Sequence, residues 1–341
     1  MNDLRTVNES NSKKLSSFLT QNAIFVCLFV LILFIIIWDP RFLSFTVLRD
    51  ILMQVSTRSI IALGAAFVLL TGGCDLSAGR MVGFAAVISG SLLQTQEYTR
   101  RFFPNLQDLP IWLPILISIV IALIFGLING FVVAKLSVPP FIATLATTTI
   151  VYGINSLYVN IKPNESQPLA GFRNEFTFLG SGYVFGVIPV IILIALGVII
   201  ITWVILNKTR FGKNVYAIGG NVNAAKVSGI NVRRNLLGLY AYAGALYGLA
   251  GVLEAARTGG SNNNYGVGYE LDAIAACVVG GVSLMGGIGT VPGIMAGVLI
   301  FGVINYGLTF VGMSPYWQQI IKGIIIVVAV AFDIRKYLTK K

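Results

Sequence analysis

Long apolar stretches recur along the chain, and shorter polar segments separate them. A helix of about 20 apolar residues crosses a hydrocarbon layer of about 30 Å. Because the stretches have this length, they predict ten membrane-spanning helices. These lie at 22–38, 51–71, 79–96, 111–134, 140–160, 186–206, 236–256, 271–287, 291–312 and 317–333. The eighth is short and rich in glycine, which makes it a candidate for a broken or re-entrant segment.

The predicted spans divide the chain into three parts. A mostly polar N-terminal tail occupies 1–21, a transmembrane domain occupies 22–333, and a short C-terminal tail occupies 334–341. No small-residue cleavage site follows the first apolar stretch, so we expect this stretch to remain as a helix. The sequence therefore predicts an all-α polytopic membrane protein of about ten transmembrane helices, with both termini on the same side.

The composition supports a membrane location and narrows the chemistry. Hydrophobic residues make up 56% of the chain and charged residues 11%, against roughly a quarter charged in soluble domains. The chain has no histidine, and its three cysteines (Cys27, Cys74 and Cys277) lie far apart. We therefore expect no metal site and no cofactor. In a membrane chain, a net charge of +11 indicates the orientation of the loops rather than a nucleic-acid partner.

The distribution of lysine and arginine predicts which side each loop faces. If both termini are cytoplasmic, most of these residues fall on the cytoplasmic side, as the positive-inside rule requires. The largest cytoplasmic feature is then the loop 207–234. It carries six cations and no acid: Lys208, Arg210, Lys213, Lys226, Arg233 and Arg234.

Within this loop, the stretch from Asn223 to Gly229 has the spacing Asn-Ala-Ala-x3-Gly. It predicts a short helix that begins at Ala224, is capped by Asn223 and ends at Gly229. Such a helix would present a small, smooth surface that fits a groove on a partner protein. The alternative is a solvated basic linker, but the loop is rich in apolar residues, which a plain linker would lack.

The sequence lacks an ATP-binding loop of the form Gly-x4-Gly-Lys-Ser/Thr. Its one Gly-Lys pair, Gly212-Lys213, has no upstream glycine and is followed by Asn214. ATP could therefore drive this protein only through another subunit.

Few ionisable residues fall inside or at the edge of the predicted spans: Arg58, Glu254, Asp272 and Lys322. We expect the last three to lie near an interface and to extend their charged ends to water. Arg58 is the one placed deep in a span, where it could pair with a neighbouring helix or a lipid headgroup. Ion-coupled transport usually needs more buried acids than this.

Two polar segments could line a pathway through the membrane. The stretch "TGGCDLSAGR" (71–80) is either a broken helix at a gate or a tight turn in which Asp75 or Ser77 caps the next helix. In the fifth span, Thr148, Tyr152 and Asn155 share one helical face. Such a face suits a neutral polyol, although threonine hydroxyls can equally bond to their own helix.

Two short motifs occur twice. "FGLIN" (125–129) recurs as "FGVIN" (301–305), and the glycine pair at 72–73 recurs at 280–281. Both recurrences could come from an inverted repeat, of the kind found in transporters, or from chance.

Several blocks resemble one family. "RFGKNVYAIGGNVNAAKVSGINV", "TGGCDLSAGR", "PFIATLATTTIVYGINSLY" and "YELDAIAACVVGGVSLMGGIGTVPG" are similar to the permease subunits of bacterial sugar ABC importers, in the ribose and galactoside branch. The details look closest to its galactoside members. The resemblance covers the chain from about residue 20.

The resemblance implies a homodimer of ten-helix subunits in the bacterial inner membrane, surrounded by lipid. ABC ATPase subunits would bind inside, and a periplasmic sugar-binding protein would dock outside. The coupling positions would be Arg210, Gly212, Asn221, Asn223, Ala224, Ala225 and Gly229. The family often has an acid where Asn223 stands, which puts a salt bridge from that position in doubt.

We therefore predict a transport subunit, not an enzyme, that passes a monosaccharide through a weak site. The sugar would pass Thr148, Tyr152, Asn155, Asp75 and Ser77. The main alternative is an ion-coupled secondary sugar carrier. A membrane enzyme is a third reading, without a visible catalytic pair.

Overall fold

The computed structural model describes residues 32–338. Residues 32–38 are helical and a 3-10 turn follows at Pro40–Leu43. The longer helices are α1 (Phe45–Leu70), α2 (Ala78–Leu92), α3 (Trp112–Lys135), α4 (Pro140–Val159), α5 (Asn174–Ser181), α6 (Val190–Lys208), α7 (Arg210–Gly220), α8 (Val222–Val227), α9 (Val232–Thr258), α10 (Tyr269–Val279), α11 (Val291–Phe310) and α12 (Pro315–Leu338). A small antiparallel hairpin, β1 (Tyr183–Val184) and β2 (Ile188–Pro189), separates α5 from α6.

Six of the described helices are long and apolar enough to cross a membrane: α1, α3, α4, α6, α9 and α11. This confirms the predicted all-α polytopic membrane class. Most predicted spans coincide with a helix, and their ends agree to within a few residues. Hydropathy finds these helices well because a spanning helix must satisfy all its backbone hydrogen bonds internally and present apolar side chains to lipid.

Some predictions concern residues at the two ends of the chain. The tail 1–21 and most of the first predicted span lie outside the described residues, as does Cys27. At the other end, α12 continues to Leu338, past the predicted end of the last span at residue 333.

The interior of the fold is built around α9, which packs against α1, α2, α3 and α5. Three glycines on α9 allow this. Gly244 lies against Gly126 and the Ala122 carbonyl of α3, Gly248 lies against Ile119 of the same helix, and Gly251 lies against α2. Small residues let two helices approach closely in lipid, where packing replaces the hydrophobic drive. In contrast, α3 and α6 are strongly apolar and mostly exposed, as is typical of peripheral helices.

Two of the described helices that lie in predicted spans are too short to cross the membrane alone. With a rise of about 1.5 Å per residue, α2 is about 22 Å long and α10 about 16 Å. The eighth predicted span, 271–287, is therefore helical only as far as Val279, and turns and loop follow from Gly280 onward. Gly281, Gly286 and Gly287 have positive φ angles there, which end the helix. The expectation of a broken segment at this place agrees with the structure.

The two recurring motifs do not align as parts of one repeat. The motif 125–129 lies in α3, the second helix after the first glycine pair, whereas 301–305 lies in α11, the first helix after the second pair. Both glycine pairs nevertheless lie in turns.

The glycine contacts of α9 make a prediction about stability. Gly126→Ala would place a Cβ against the Tyr240 carbonyl, so we expect a lower unfolding temperature and a cost of about 1–3 kcal/mol from overpacking. Thermal unfolding of the detergent-solubilised protein measures this. Gly197→Ala on α6 is the matched control because its Cβ meets nothing within 4 Å. Equal unfolding temperatures for the two variants would contradict this packing.

Candidate functional site

The basic segment 207–234 is folded into two short helices. Thr209 caps α7, and its hydroxyl accepts a hydrogen bond from the Gly212 amide at 3.2 Å. Gly212 fits against the carbonyl groups of Leu206 and Ile205, where any side chain would clash. This close approach fixes the sharp corner between α6 and α7. The sequence did not predict α7, because glycine and asparagine disfavour helix and the helix depends on tertiary packing.

The second short helix, α8, is capped by a different residue from the one predicted. The Asn221 side chain accepts hydrogen bonds from the amides of Asn223 and Ala224, both at 3.0 Å. The predicted cap at Asn223 is therefore wrong, because the helix starts at Val222. The prediction that a glycine ends this helix agrees with the structure, because Gly229 lies just after α8 and has a φ of +81°.

The tip formed by α8 is apolar as well as basic. Ala225 is buried against Ile218 and Val232, whereas Ala224 is exposed. Val227 is 91% exposed and Val222 40%. All six cations of the segment, including Arg210, are exposed. The exposed valines and the cations suit contact with a partner that has apolar and acidic groups, whereas a plain solvated linker would lack the apolar residues.

The C-terminal end of α7 meets the turn of the first glycine pair and the loop that follows α10 at one point, which we call the glycine junction (Leu70–Gly73, Gly219 and Met285–Gly289). The Gly287 amide donates a hydrogen bond of 2.9 Å to the Leu70 carbonyl. Gly219 lies directly on the Leu70 carbonyl, and Gly286 lies near Gly72. The Tyr216 hydroxyl donates to the Gly289 carbonyl at 2.9 Å. Burial raises the pKa of Tyr216, so this phenol keeps its donor proton.

The predicted polar face of α4 holds the loop between α1 and α2. Thr144 accepts a hydrogen bond from the Leu76 amide at 3.1 Å, and the Thr148 hydroxyl lies 2.8 Å from the Leu76 carbonyl. Thr148 also lies 2.8 Å from the Thr144 carbonyl. The threonines therefore bond to their own helix, which is the alternative given above, and in addition to the loop between α1 and α2.

Asp75 and Ser77 belong to a buried hydrogen-bond network. Asp75 accepts hydrogen bonds from the Ser77 amide and hydroxyl at 2.9 and 2.6 Å, and from Tyr247 at 3.3 Å. Asn129 of α3 donates to Ser77 at 3.0 Å and accepts from Thr147 at 2.6 Å. These contacts favour the interpretation of 71–80 as a turn that is fixed by its own side chains.

The other two members of the predicted stripe face in different directions. Tyr152 is 38% exposed, whereas Asn155 is 1% exposed and its Oδ1 has no hydrogen-bond partner in the described residues. The Arg80 guanidinium lies over the Tyr152 ring, with 4.3 Å between its carbon and the ring centroid. Arg80 was not among the predicted site residues, because its contact with α4 spans a long separation in sequence.

Comparison with known proteins decides the family. Residues 47–330 match the family described as "Branched-chain amino acid transport system / permease component". The chain belongs to this permease family.

The relatives agree with this assignment. The permease is 52% identical to the galactose/methyl galactoside import permease protein MglC of Escherichia coli (strain K12) over 334 residues, covering 97% of this chain and 99% of the relative. The Haemophilus influenzae protein of the same name is 52% identical, with 95% and 96% covered. The ribose import permease protein RbsC of Bacillus subtilis (strain 168) is 40% identical, with 92% of each chain covered. No solved structure matches the chain.

The permease also contains a buried ionic cluster that corrects one expectation. Glu254 is 1% exposed, so it does not extend to water as predicted. Its carboxylate accepts hydrogen bonds from Arg257 at 2.9 Å, from Thr57 at 2.7 Å and from Tyr269 at 3.2 Å. Arg58 lies over the Tyr269 ring. Partners on three helices satisfy the Glu254 carboxylate, which is the condition for burying it, whereas Nη1 of Arg58 is buried without a hydrogen-bond partner among the described residues.

A neighbouring ion pair adds α12 to this cluster. Lys322 of α12 donates to Asp272 of α10 at 3.0 Å, and both side chains are largely buried. Their expected extension to water is therefore replaced by a mutual ion pair. The network ties α1, α9, α10 and α12 together.

The cap of α8 makes a testable prediction. Asn221→Ala removes the acceptor for two amides, and loss of such a cap costs about 1 kcal/mol. We expect amide hydrogen exchange across 222–228 to become about fivefold faster, measured by mass spectrometry. Asn223→Ala is the matched control and should leave exchange unchanged. Faster exchange in the control alone would restore Asn223 as the cap.

Proposed function

We propose that the chain is the membrane-spanning subunit of an ATP-driven importer for galactose or methyl galactoside in the bacterial inner membrane. The observation that carries this proposal is its likeness, over nearly the whole chain, to relatives named as import permeases for these sugars. The sequence has no ATP-binding loop, so a separate ABC ATPase subunit would hydrolyse ATP. A periplasmic binding protein would deliver the sugar.

In this proposal, α7 and α8 form the coupling element. The exposed apolar tip at Val227 would enter a groove on the ATPase, and the surrounding cations would face its acidic groups. The coupling positions Asn223, Ala224 and Gly229 are exposed, as docking requires, whereas Gly212 and Ala225 are buried and shape the helices. Movement of α7 would reach the membrane helices through the glycine junction.

We further propose ten crossings, with both termini and the coupling element in the cytoplasm, and a homodimer. The cluster of exposed cations on 207–234 supports this orientation through the positive-inside rule. The broad apolar face of α4, where Phe141, Ile142, Ile150 and Leu157 are more than half exposed, would face the second copy or lipid.

The sugar would pass along the edge of α4 that carries Tyr152. Its exposed ring and the neighbouring guanidinium of Arg80 offer a surface for a neutral sugar. Thr148, Asp75 and Ser77 would act beneath this surface by holding the loop 74–77 in place, and the buried Asn155 would support the same helix from the inside. The site would be weak, since a tight site would trap the sugar.

The energy source distinguishes this proposal from an ion-coupled carrier. Proteoliposomes that contain the permease, the ATPase subunit and the binding protein should accumulate radiolabelled galactose only when ATP is present on the ATPase side. Vesicles with the permease alone and an imposed proton or sodium gradient serve as the comparison. Accumulation driven by the gradient alone would contradict the proposal and favour the carrier.

The glycine junction predicts an uncoupled variant. Gly219→Ala would place a Cβ on the Leu70 carbonyl, whereas Gly220→Ala meets nothing within 4 Å. We expect Gly219→Ala to lower galactose uptake severalfold while the ATPase still copurifies, because α7 can no longer seat on α1. The Gly220→Ala control should retain uptake. Equal uptake by both variants, at matched membrane levels, would remove the junction from the coupling route.

A further inference from the structure

The segment between α9 and α10, residues 259–268, is not helical, yet it runs along the whole of α2. Ser261 lies beside Gly90, near one end of α2, with 3.0 Å between its hydroxyl and an ideal Cβ at that glycine. The Tyr265 carbonyl lies against Gly83, and the Gly266 carbonyl lies against Gly79 near the other end. Gly79 and Gly90 are about 16 Å apart along the helix axis, so the segment covers about half the thickness of a hydrocarbon layer of about 30 Å.

The depth of this segment follows from the surroundings of α2. That helix is apolar, and it packs among α3, α4 and α9, all of which have the length to cross the membrane. Non-helical backbone at this depth is tolerated only where protein covers it or where it lines a water-filled cavity. One side of the segment is covered by α2. On the other side, Asn264 is exposed and Val267 is 55% exposed.

Three elements bring polar groups to this open side. The Asn263 amide donates to the Ser156 hydroxyl of α4 at 3.4 Å, and Arg80 of α2 donates to the Asn263 carbonyl at 3.3 Å. Arg80 also lies over Tyr152. Asn264 is the next residue along the chain, in the same turn, 263–268, and it is exposed.

An unpartnered acceptor completes the cluster. Glu270 stands in the first turn of α10, and the absence of a side chain at Gly79 leaves room for its carboxylate at the start of α2. Its buried Oε2 has no hydrogen-bond partner among the described residues. With Arg80 nearby, the two charges offset each other, so the open side favours neither a cation nor an anion.

We propose that residues 261–268, together with Arg80, Tyr152, Ser156 and Glu270, form a water-lined binding site for a neutral monosaccharide. Asparagine amides both donate and accept, which matches adjacent sugar hydroxyls. The guanidinium and carboxylate supply charge-assisted hydrogen bonds, and the Tyr152 ring supplies an apolar face. This inference rests on the proposed function and adds to it the residues that would contact the sugar.

Accessibility tests the site without any need for transport. Asn264→Cys should react with a membrane-impermeant maleimide, and a high concentration of galactose should slow the reaction severalfold. Leu196→Cys on α6, where leucine is 48% exposed, is the control and should not react because it faces lipid or a partner helix. If Asn264→Cys were as unreactive as this control, the segment would not line water and the inference would be wrong.

A second pair of variants tests sugar contact. Asn264→Ala should lower the maximal rate of galactose uptake severalfold, whereas Gly197→Ala on α6, outside the site and with nothing within 4 Å of its added Cβ, should retain it. Binding-protein-stimulated ATP hydrolysis should persist in both, which separates a lost sugar contact from failed assembly. Labelling that galactose does not slow, together with equal uptake by both variants, would overturn the sugar site. Failure of ATP-driven uptake in the unmodified protein would instead reject the proposed function, and the labelling result would still stand.

Discussion

Close approach of one backbone to another is the constraint on which the rest of the structure depends. Lipid is as apolar as the helices, so helices must hold together by short-range packing. On α9, Gly244 lies against the α3 backbone, and at the glycine junction Gly219 lies against Leu70. On α2, the non-helical segment 259–268 packs directly against Gly83 at membrane depth. Because glycine has no side chain, it allows the close backbone contacts of the core, of the glycine junction and of the non-helical segment beside α2.

The sequence predicts the parts of the fold that depend on local composition. It does not predict the parts that depend on contacts between residues far apart in the chain. Helices of the membrane interior were predictable because lipid requires an apolar run of defined length. The start of α8 was displaced because Asn221 and Asn223 have similar capping tendencies, and only the geometry of the preceding helix selects Asn221. The prediction that Glu254 extends to water was wrong for another reason. Its partners Thr57 and Tyr269 come from other helices, and hydropathy contains no information about them.

The candidate site shows the same division. The spacing of Thr148, Tyr152 and Asn155 predicts a shared face of α4, but helical spacing cannot tell which of these residues other elements cover. Here the loop 74–77 lies against Thr148, which bonds to its backbone, and Asn155 is buried. Tyr152 alone remains open. Asn264 was missed because an asparagine-rich stretch between spans resembles an ordinary outer loop until its contacts with α2 are known.

Among the described residues, polar groups form buried networks and an open surface beside α2, and the two are mechanically connected. The networks around Glu254 and Asp75 join helices through buried hydrogen bonds. The open surface is bounded by the start of α2 at Arg80 and the start of α10 at Glu270. The turn that precedes α2 and the loop that follows α10 both meet α7 at the glycine junction. A displacement of α7 would therefore reach both walls of the open surface through short, continuous backbone. Glycine at position 219 makes that contact rigid, because backbone meets backbone there with no flexible side chain between them.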